Sequence, residues 1–82
     1  MDSRIALIGI VISSKESIDE LNHLLSDYAT YIVGRMGIPY REKEVSIMSV
    51  AIDAPNDIIS ALSGKIGMLT GISTKTIYAK TN

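Results

Sequence analysis

The stretch Tyr31-Ile-Val-Gly-Arg-Met-Gly-Ile-Pro-Tyr-Arg41 divides the chain and decides how it folds. It combines strand-forming residues with two glycines, a proline and two arginines. Gly34 and Gly37 weaken a strand, and Pro39 cannot donate a hydrogen bond to a ladder. We therefore predict an edge strand over residues 31–38 that bends or bulges, followed by a polar loop from Pro39. The preceding residues predict one strand and one helix, and the following residues predict a strand, a helix and a strand.

Two segments predict central strands, because both of their alternating residue sets are apolar. They are Arg4 to Ser13 and Val45 to Asp53. Strands of this kind are covered on both faces of their sheet. Gly9, in the middle of the first segment, indicates a bulge or a close backbone approach. One face of the first strand carries Ile5, Leu7 and Val11, and the other carries Ala6, Ile8, Ile10 and Ile12.

Two further segments have helical spacing. Ser17-Ile-Asp-Glu20 has the pattern of a capping box, which predicts the start of the first helix. Asp53-Ala-Pro-Asn56 predicts the entry to the second helix, and Gly67 is its expected C-cap. The chain then ends in an alternating, half-polar segment from Ile72 to Lys80, which predicts a second edge strand.

The order β-α-β-β-α-β predicts the α+β class and a ferredoxin-like plait, a four-stranded antiparallel sheet with two helices on one face. We expect residues 1–82 to form this single domain. The helices leave one apolar sheet face without a cover, and such a face is an interaction site. A chain this short is marginally stable alone and has no cysteine for a disulfide, so we predict a homo-oligomer, a dimer or tetramer.

Composition and charge exclude several classes of function. The net charge of -1 gives no general attraction for nucleic acid, and we expect no direct nucleic-acid binding. The apolar run from Ile5 to Ile12 is too short to span a membrane, and no cleavage pattern follows it. We therefore expect no membrane association and a cytoplasmic location.

The sequence lacks most of the residues that catalysis, redox chemistry or metal binding would require. Without cysteine, thiol and iron–sulfur chemistry are excluded. No Ser-His-Asp set or carboxylate pair can be identified, so we expect no enzyme, no catalytic residue and no cofactor. His23 is the only histidine. It predicts a solvated helix-face residue rather than a metal ligand, unless a symmetric interface completes a site.

Arg35 and Arg41 are the candidate ligand-binding residues, together with Tyr40 between them. Two guanidinium groups near an exposed backbone can hold a carboxylate or phosphate through paired hydrogen bonds. We therefore predict a small anionic effector at these three residues. The alternative is structural: Tyr40 is a packing residue, and the arginines cap the bent strand and pair with Glu42, Glu44 or Asp27.

Four strings carry a resemblance to a known family. They are the stretch 31–41, Asp53-Ala-Pro, Ile59-Ser-Ala-Leu-Ser-Gly-Lys-Ile-Gly67 and Thr76-Ile-Tyr-Ala-Lys80. From Arg4 to Lys80 the chain resembles the iron-only hydrogenase system regulators. That family is similar in fold to ACT domains and to the C-terminal domain of the nickel-responsive repressor, which oligomerise and bind effectors between subunits. The resemblance implies an ACT-like regulator with a ligand-sensing or assembly role, for example in the control of transcription.

The sequence departs from these relatives in three places. One histidine cannot supply the nickel ligands of the repressor, so nickel sensing does not carry over. The loop Ser13-Ser14-Lys15 lacks the glycine that ACT domains commonly place there. No DNA-reading segment precedes Arg4, so we expect such a regulator to reach DNA through a partner. The alternative function is a protein-protein interaction or assembly factor that binds no ligand and uses the open sheet face.

Overall fold

A computed structural model describes residues 3–80 of the chain. The ends of the predicted domain, residues 1, 2, 81 and 82, lie outside this range. The described elements are β1 (Ser3–Ile12), α1 (Ile18–Asp27), β2 (Ile32–Tyr40), β3 (Val45–Pro55), α2 (Asn56–Gly67) and β4 (Ile72–Tyr78). Three short 3-10 turns, Lys15–Ser17, Ala29–Tyr31 and Arg41–Lys43, lie in the connections.

The four strands form one antiparallel sheet in the order β2-β3-β1-β4. The two strands with apolar residues on both faces, β1 and β3, lie in the middle, and the two predicted edge strands, β2 and β4, lie at the edges. The predicted ferredoxin-like fold is therefore confirmed. β1 pairs in unbroken register with both of its neighbours, so Gly9 marks no bulge.

The edge strand β2 has the predicted bulge, between Ile32 and Gly34. The prediction of a loop from Pro39 is wrong, because the strand continues to Tyr40. Pro39 lies opposite Ser46 in the ladder. It is tolerated because half of the backbone groups of an edge strand face away from the sheet and need no ladder partner.

The predicted capping box at Ser17 does not form. The side chain of Ser17 makes no capping hydrogen bond and is buried, at 3% exposure. A 3-10 turn precedes the helix, and it places Ser17 in a compact conformation (φ -107°, ψ 13°) rather than in the extended one that a cap requires. The hydroxyl of Ser14 instead accepts a hydrogen bond from the backbone N–H of Glu16 at 3.2 Å.

The predicted C-cap at Gly67 is also wrong. Gly67 is the last residue of α2, and the cap that follows it, Met68, has right-handed helical backbone angles. The glycine with a positive φ is Gly71, at 76°, in the turn that leads into β4. The chain therefore leaves the helix through an additional turn before it reverses direction.

The hydrophobic core lies between the sheet and the two helices. Alternate residues of β1 and β3 belong to this core, because every second side chain of each strand points toward the helices. The buried residues are Ala6, Ile8, Ile10, Ile12, Leu21, Leu25, Val50, Ile52, Ala54, Ile59, Leu62, Ile66 and Ile72.

The opposite side of the sheet carries the other set of each strand, and we call it the open face. The register assigns to it Ile5, Leu7, Gly9 and Val11 of β1, Gly34, Met36, Ile38 and Tyr40 of β2, Val45, Ile47, Ser49, Ala51 and Asp53 of β3, and Ser73, Lys75 and Ile77 of β4. Eight of its large apolar side chains are 40% to 66% exposed in the single chain. Both helices pack against the other side.

Candidate functional site

A cavity of about 570 Å³ lies where the loop after β1 meets the connection between β2 and β3. We call it the loop cavity. These two segments are neighbours because β1 and β3 pair side by side, with Ile12 opposite Ser46. The lining residues are Ile12, Ser13, Ser14, Lys15, Ile18, Pro39, Tyr40, Arg41, Glu44, Val45 and Ser46.

The loop cavity combines cationic, hydroxyl and apolar groups. Lys15 and Arg41 contribute two positive charges and Glu44 one negative charge. Three serine hydroxyls and the phenol of Tyr40 add hydrogen-bonding groups, and Ile12, Ile18, Pro39 and Val45 provide apolar contacts. The lining is therefore positive overall in a chain whose net charge is -1. Such a lining is suited to a small anion with an apolar part.

The loop after β1 is held in place by the turn before β4. The backbone N–H of Ser13 donates a hydrogen bond to the carbonyl of Gly71 at 2.7 Å. A Cβ atom added at Gly71 would lie 2.5 Å from the Cβ of Ser14, so the two backbones approach closely. This approach requires a glycine, and it fixes the wall of the loop cavity that carries Ser13 and Ser14.

The connection between β2 and β3 forms the opposite wall. Residues Arg41–Lys43 make a 3-10 turn, and Glu44 follows it with a left-handed backbone at φ 55°. The N–H of Glu44 donates a hydrogen bond to the carbonyl of Arg41 at 3.1 Å. A left-handed conformation costs a non-glycine residue about 1 kcal/mol or more. Glu44 is thus a strained residue on the lining of the loop cavity.

The structure brings two of the three predicted ligand residues together. Tyr40 and Arg41 both line the loop cavity, whereas Arg35 lines a separate cavity of about 280 Å³ beside α1. Arg35 pairs with Val50 on the helix side of the sheet, and Tyr40 pairs with Val45 on the open face. Residues five apart in a strand point to opposite sides, so Arg35 cannot share the orientation of Tyr40.

The ion pairs of the structural alternative do not form. Within residues 3–80, neither Arg35 nor Arg41 has a carboxylate oxygen within 4.0 Å; the one such contact joins the His23 imidazole and the Asp27 carboxylate at 3.9 Å. Near these arginines, the hydroxyl of Tyr40 donates a long hydrogen bond to Glu42 at 3.5 Å. Both guanidinium groups are therefore free to meet an anion.

Lys15 is a member of the site that the sequence did not indicate. It is 26 residues before Arg41 in the chain. No local spacing connects the two residues, and only the antiparallel pairing of β1 with β3 brings their loops to one cavity. Apolar periodicity predicted that both strands are central, but it carried no information about which loop residues meet.

Two other polar pairs involve residues of the helices. His23 lies on an exposed helix surface, with its side chain 81% exposed, in the predicted position of a solvated residue. Within the described part of the chain, no group of three potential metal-ligating side chains of His, Cys, Asp or Glu comes together. The ammonium of Lys65 donates a hydrogen bond to the Tyr28 hydroxyl at 3.0 Å, and this contact raises the pKa of Lys65 above its ordinary value.

The helices of the described range are too short or too polar to cross a lipid bilayer.

Comparison with known proteins gives one family. The TM1266-like family model, described as "Iron-only hydrogenase system regulator, putative", matches residues 4–76. The uncharacterized protein TM1266 from Thermotoga maritima has a structure that superposes with a TM-score of 0.92 at 32% identity, over 96% of this chain and 100% of that one. No curated protein sequence matches the chain.

More distant structures share the fold alone. A formyltetrahydrofolate deformylase from Pseudomonas putida KT2440 matches with a TM-score of 0.64 at 13% identity, over 93% of this chain and 29% of that one. The divalent ion tolerance protein CutA1 from Ehrlichia chaffeensis matches with a TM-score of 0.50 at 15% identity, over 98% of this chain and 85% of that one. At these identities the matches support the ferredoxin-like architecture and no activity.

Proposed function

Because the chain belongs to the TM1266-like family of iron-only hydrogenase system regulators, we propose that it is a regulatory module that senses a small anionic effector and works as a homo-oligomer. In this proposal the protein is a cytoplasmic regulator rather than an enzyme. If it regulates transcription, it reaches DNA through a partner protein, since a net charge of -1 provides no general attraction for nucleic acid.

One observation carries the effector part of the proposal: Lys15 and Arg41 converge on one cavity that also holds four hydroxyl groups. Arg41 has no carboxylate partner within 4.0 Å in the described range, so its guanidinium is available. An anion in the loop cavity would gain charge-assisted hydrogen bonds, which are the stronger class of hydrogen bond. Glu44 opposes a polyanion, so the charge balance favours an effector with one or two negative charges.

Arg35 has a different place in this proposal. A third cavity of about 220 Å³ lies between the loop cavity and the one that Arg35 lines. It shares Ile12, Ile18, Pro39 and Ser46 with the first and Asn22 with the second, so the three adjoin one another, and we take them together as one groove between α1 and β2. A compact effector would contact Tyr40, Arg41 and Lys15 only. An elongated effector would extend along this groove to Arg35.

A thermal-shift screen tests the effector part. The native protein and the variants Lys15→Ala, Arg35→Ala and Arg41→Ala are melted with inorganic phosphate, small carboxylates and a metabolite panel. We expect at least one anion to raise the melting temperature of the native protein, and Lys15→Ala and Arg41→Ala to remove that rise. Arg35→Ala removes it only if the effector is elongated.

Lys43 provides the matched control. It lies in the same 3-10 turn as Arg41, carries the same charge and does not line the loop cavity. Lys43→Ala should keep the full stabilisation by the anion. If Lys43→Ala and Arg41→Ala reduce the stabilisation by the anion equally, the anion binds to general surface charge, and the proposed site is rejected. Absence of any stabilising anion would reject effector sensing itself.

The open face favours a second candidate function. Its exposed apolar side chains suit a protein-protein interaction or assembly factor that binds a partner and no ligand. Co-purification from a native extract separates the two candidates. The assembly factor requires a stoichiometric heterologous protein that remains bound to the native chain. An effector-sensing homo-oligomer instead requires an anion that stabilises it.

A further inference from the structure

We infer that the open face of one copy packs against the open face of a second copy, in a two-fold symmetric interface of sheet on sheet. The inference rests on the oligomeric part of the proposed function, and it names the surface. It does not depend on the effector. Charge, shape and area each favour a second copy as the occupant.

Exposed apolar side chains are concentrated on this one surface. Ten large hydrophobic residues are exposed in the described part of the chain, and eight of them lie on the open face. The two others, Val33 and Met68, lie at the β2 bulge and after α2. A contiguous apolar surface of this kind marks an interaction site. The eight residues are Ile5, Leu7, Val11, Met36, Ile38, Tyr40, Ile47 and Ile77.

The charges on the open face indicate a partner with the same face. Asp53 near the end of β3 and Lys75 in β4 are its two charged residues. Because they have opposite signs, the face attracts neither an acidic nor a basic partner overall. A two-fold interface brings both charges from each copy, so the combined surface stays neutral.

The shape of the open face allows two sheets to approach. Gly9 and Ser49 lie side by side near its centre, and Ala51 lies beside Leu7. Because their side chains are small, these residues project less from the sheet than neighbours on the same face such as Val11 and Ile47. Packed sheets lie about 10 Å apart and interdigitate their side chains. Gly9, in the middle of the central strand β1, therefore leaves space for a side chain of the facing copy.

The area is sufficient for a specific dimer. The four strands have 7 to 11 residues each. Neighbouring strands lie about 4.8 Å apart, and each strand rises about 3.3 Å per residue, so the face measures roughly 500–600 Å². Two copies then bury roughly 1,000–1,200 Å² together, which reaches the size of a specific interface of about 1,000 Å². The roughly 500–600 Å² that each copy contributes is about one tenth of the 5642 Å² surface of the chain, the usual share for a small protein.

Light scattering after size exclusion, from micromolar to several hundred micromolar protein, tests the inference. We expect the native chain to elute with at least twice its monomer mass. Ile47, 44% exposed on β3, is replaced by aspartate, which places two buried like charges in the interface. The dissociation constant should rise at least about 100-fold. Met68→Asp, at an 86% exposed position outside the face, should change it little.

Circular dichroism and a cooperative melt establish whether each variant is folded. If Ile47→Asp does not fold, Ile38→Lys on the edge strand replaces it, since Ile38 is 54% exposed and lies outside the core. The inference is overturned if the native chain is a monomer at all concentrations. It is also overturned if the folded variants stay dimeric, or if a heterologous protein alone occupies the face.

A crosslink locates the interface. The chain has no cysteine, so a single introduced cysteine reacts alone. Ser49→Cys, near the centre of the open face, should give a covalent dimer with a short bismaleimide. Ser60→Cys on the exposed surface of α2 should not. The reverse result would place the interface on the helix side. Anion stabilisation of a monomeric Ile47→Asp variant would show that effector binding survives without this interface.

Discussion

Replacement of Gly71 by alanine should lower the free energy of unfolding by about 3 kcal/mol. Gly71 has φ 76°, a conformation that residues with a Cβ atom rarely adopt. It also lies against the loop that carries Ser13 and Ser14, so the substitution perturbs both the turn before β4 and the wall of the loop cavity.

The magnitude follows from three local terms. The left-handed conformation costs alanine about 1–2 kcal/mol relative to glycine. The new Cβ would lie 2.5 Å from the Cβ of Ser14 and 3.3 Å from its backbone nitrogen, so backbone rather than a flexible side chain must move, at a cost of about 1–3 kcal/mol. Alanine also lowers the conformational entropy of the unfolded chain, which offsets about 0.4–1 kcal/mol of the destabilisation.

Urea unfolding at fixed protein concentration measures the effect. With a slope of roughly 1–3 kcal/mol per molar urea, the midpoint should fall by about 1–3 M. Gly64→Ala is the matched control. Gly64 lies inside α2, and an added Cβ meets no atom within 4 Å. That variant should be more stable by about 0.5–1 kcal/mol, because alanine is the better helix former.

A double variant separates the steric term from the conformational one. Ser14→Gly removes the Cβ atom that an alanine at position 71 would meet. Measured against the Ser14→Gly single variant, which lacks the hydrogen bond to Glu16, the cost of Gly71→Ala should be smaller by about 1–2 kcal/mol, and the left-handed cost should remain. The reasoning is refuted if Gly71→Ala is as stable as the native protein, or if Gly71→Ala costs as much in the Ser14→Gly background as in the native one.

Three further predictions concern single residues. Glu44→Gly should raise stability by about 0.5–1 kcal/mol because it removes a left-handed non-glycine residue, whereas Glu42→Gly in the same connection should lower it; urea unfolding reports both. Leu62→Ala, at a position with 0% exposure, should cost about 2–5 kcal/mol in the same assay; a loss below 1 kcal/mol would contradict the described core. Tyr28 raises the pKa of Lys65 in the folded state, so the stability from this contact is complete below the ordinary lysine pKa and is lost as pH rises through the raised value. The native protein should therefore lose more stability than Lys65→Met in alkaline melts, and equal losses would show that the contact does not matter.

The local predictions failed where tertiary contacts override local preference. Ser17 has the ideal spacing for a capping box, yet the turn before α1 buries it and gives the capping role to Ser14. Gly67 has the ideal position for a C-cap, yet the left-handed residue is Gly71, which the approach of Ser14 requires. Pro39 predicts a loop, yet an edge strand accommodates it.

The candidate site was predictable in part. Tyr40 and Arg41 are adjacent in sequence, so they had to lie near each other, and both line the loop cavity. Arg35 is five residues before Tyr40, and strand alternation alone places the two side chains on opposite faces once the strand is known to continue to Tyr40. Lys15 could not have been assigned from sequence, because its neighbour Arg41 is brought to it by the register of β1 on β3.

The sequence by itself determined the order of elements, the central position of β1 and β3, and the existence of an apolar sheet face that two helices cannot cover. These properties depend on the spacing of hydrophobic residues, which is visible in the sequence itself. The tertiary structure alone decided which loops meet, and so which charges share a cavity. That outcome depends on the register between strands. Register pairs residues that are distant in the chain, and no local sequence pattern specifies which residues pair.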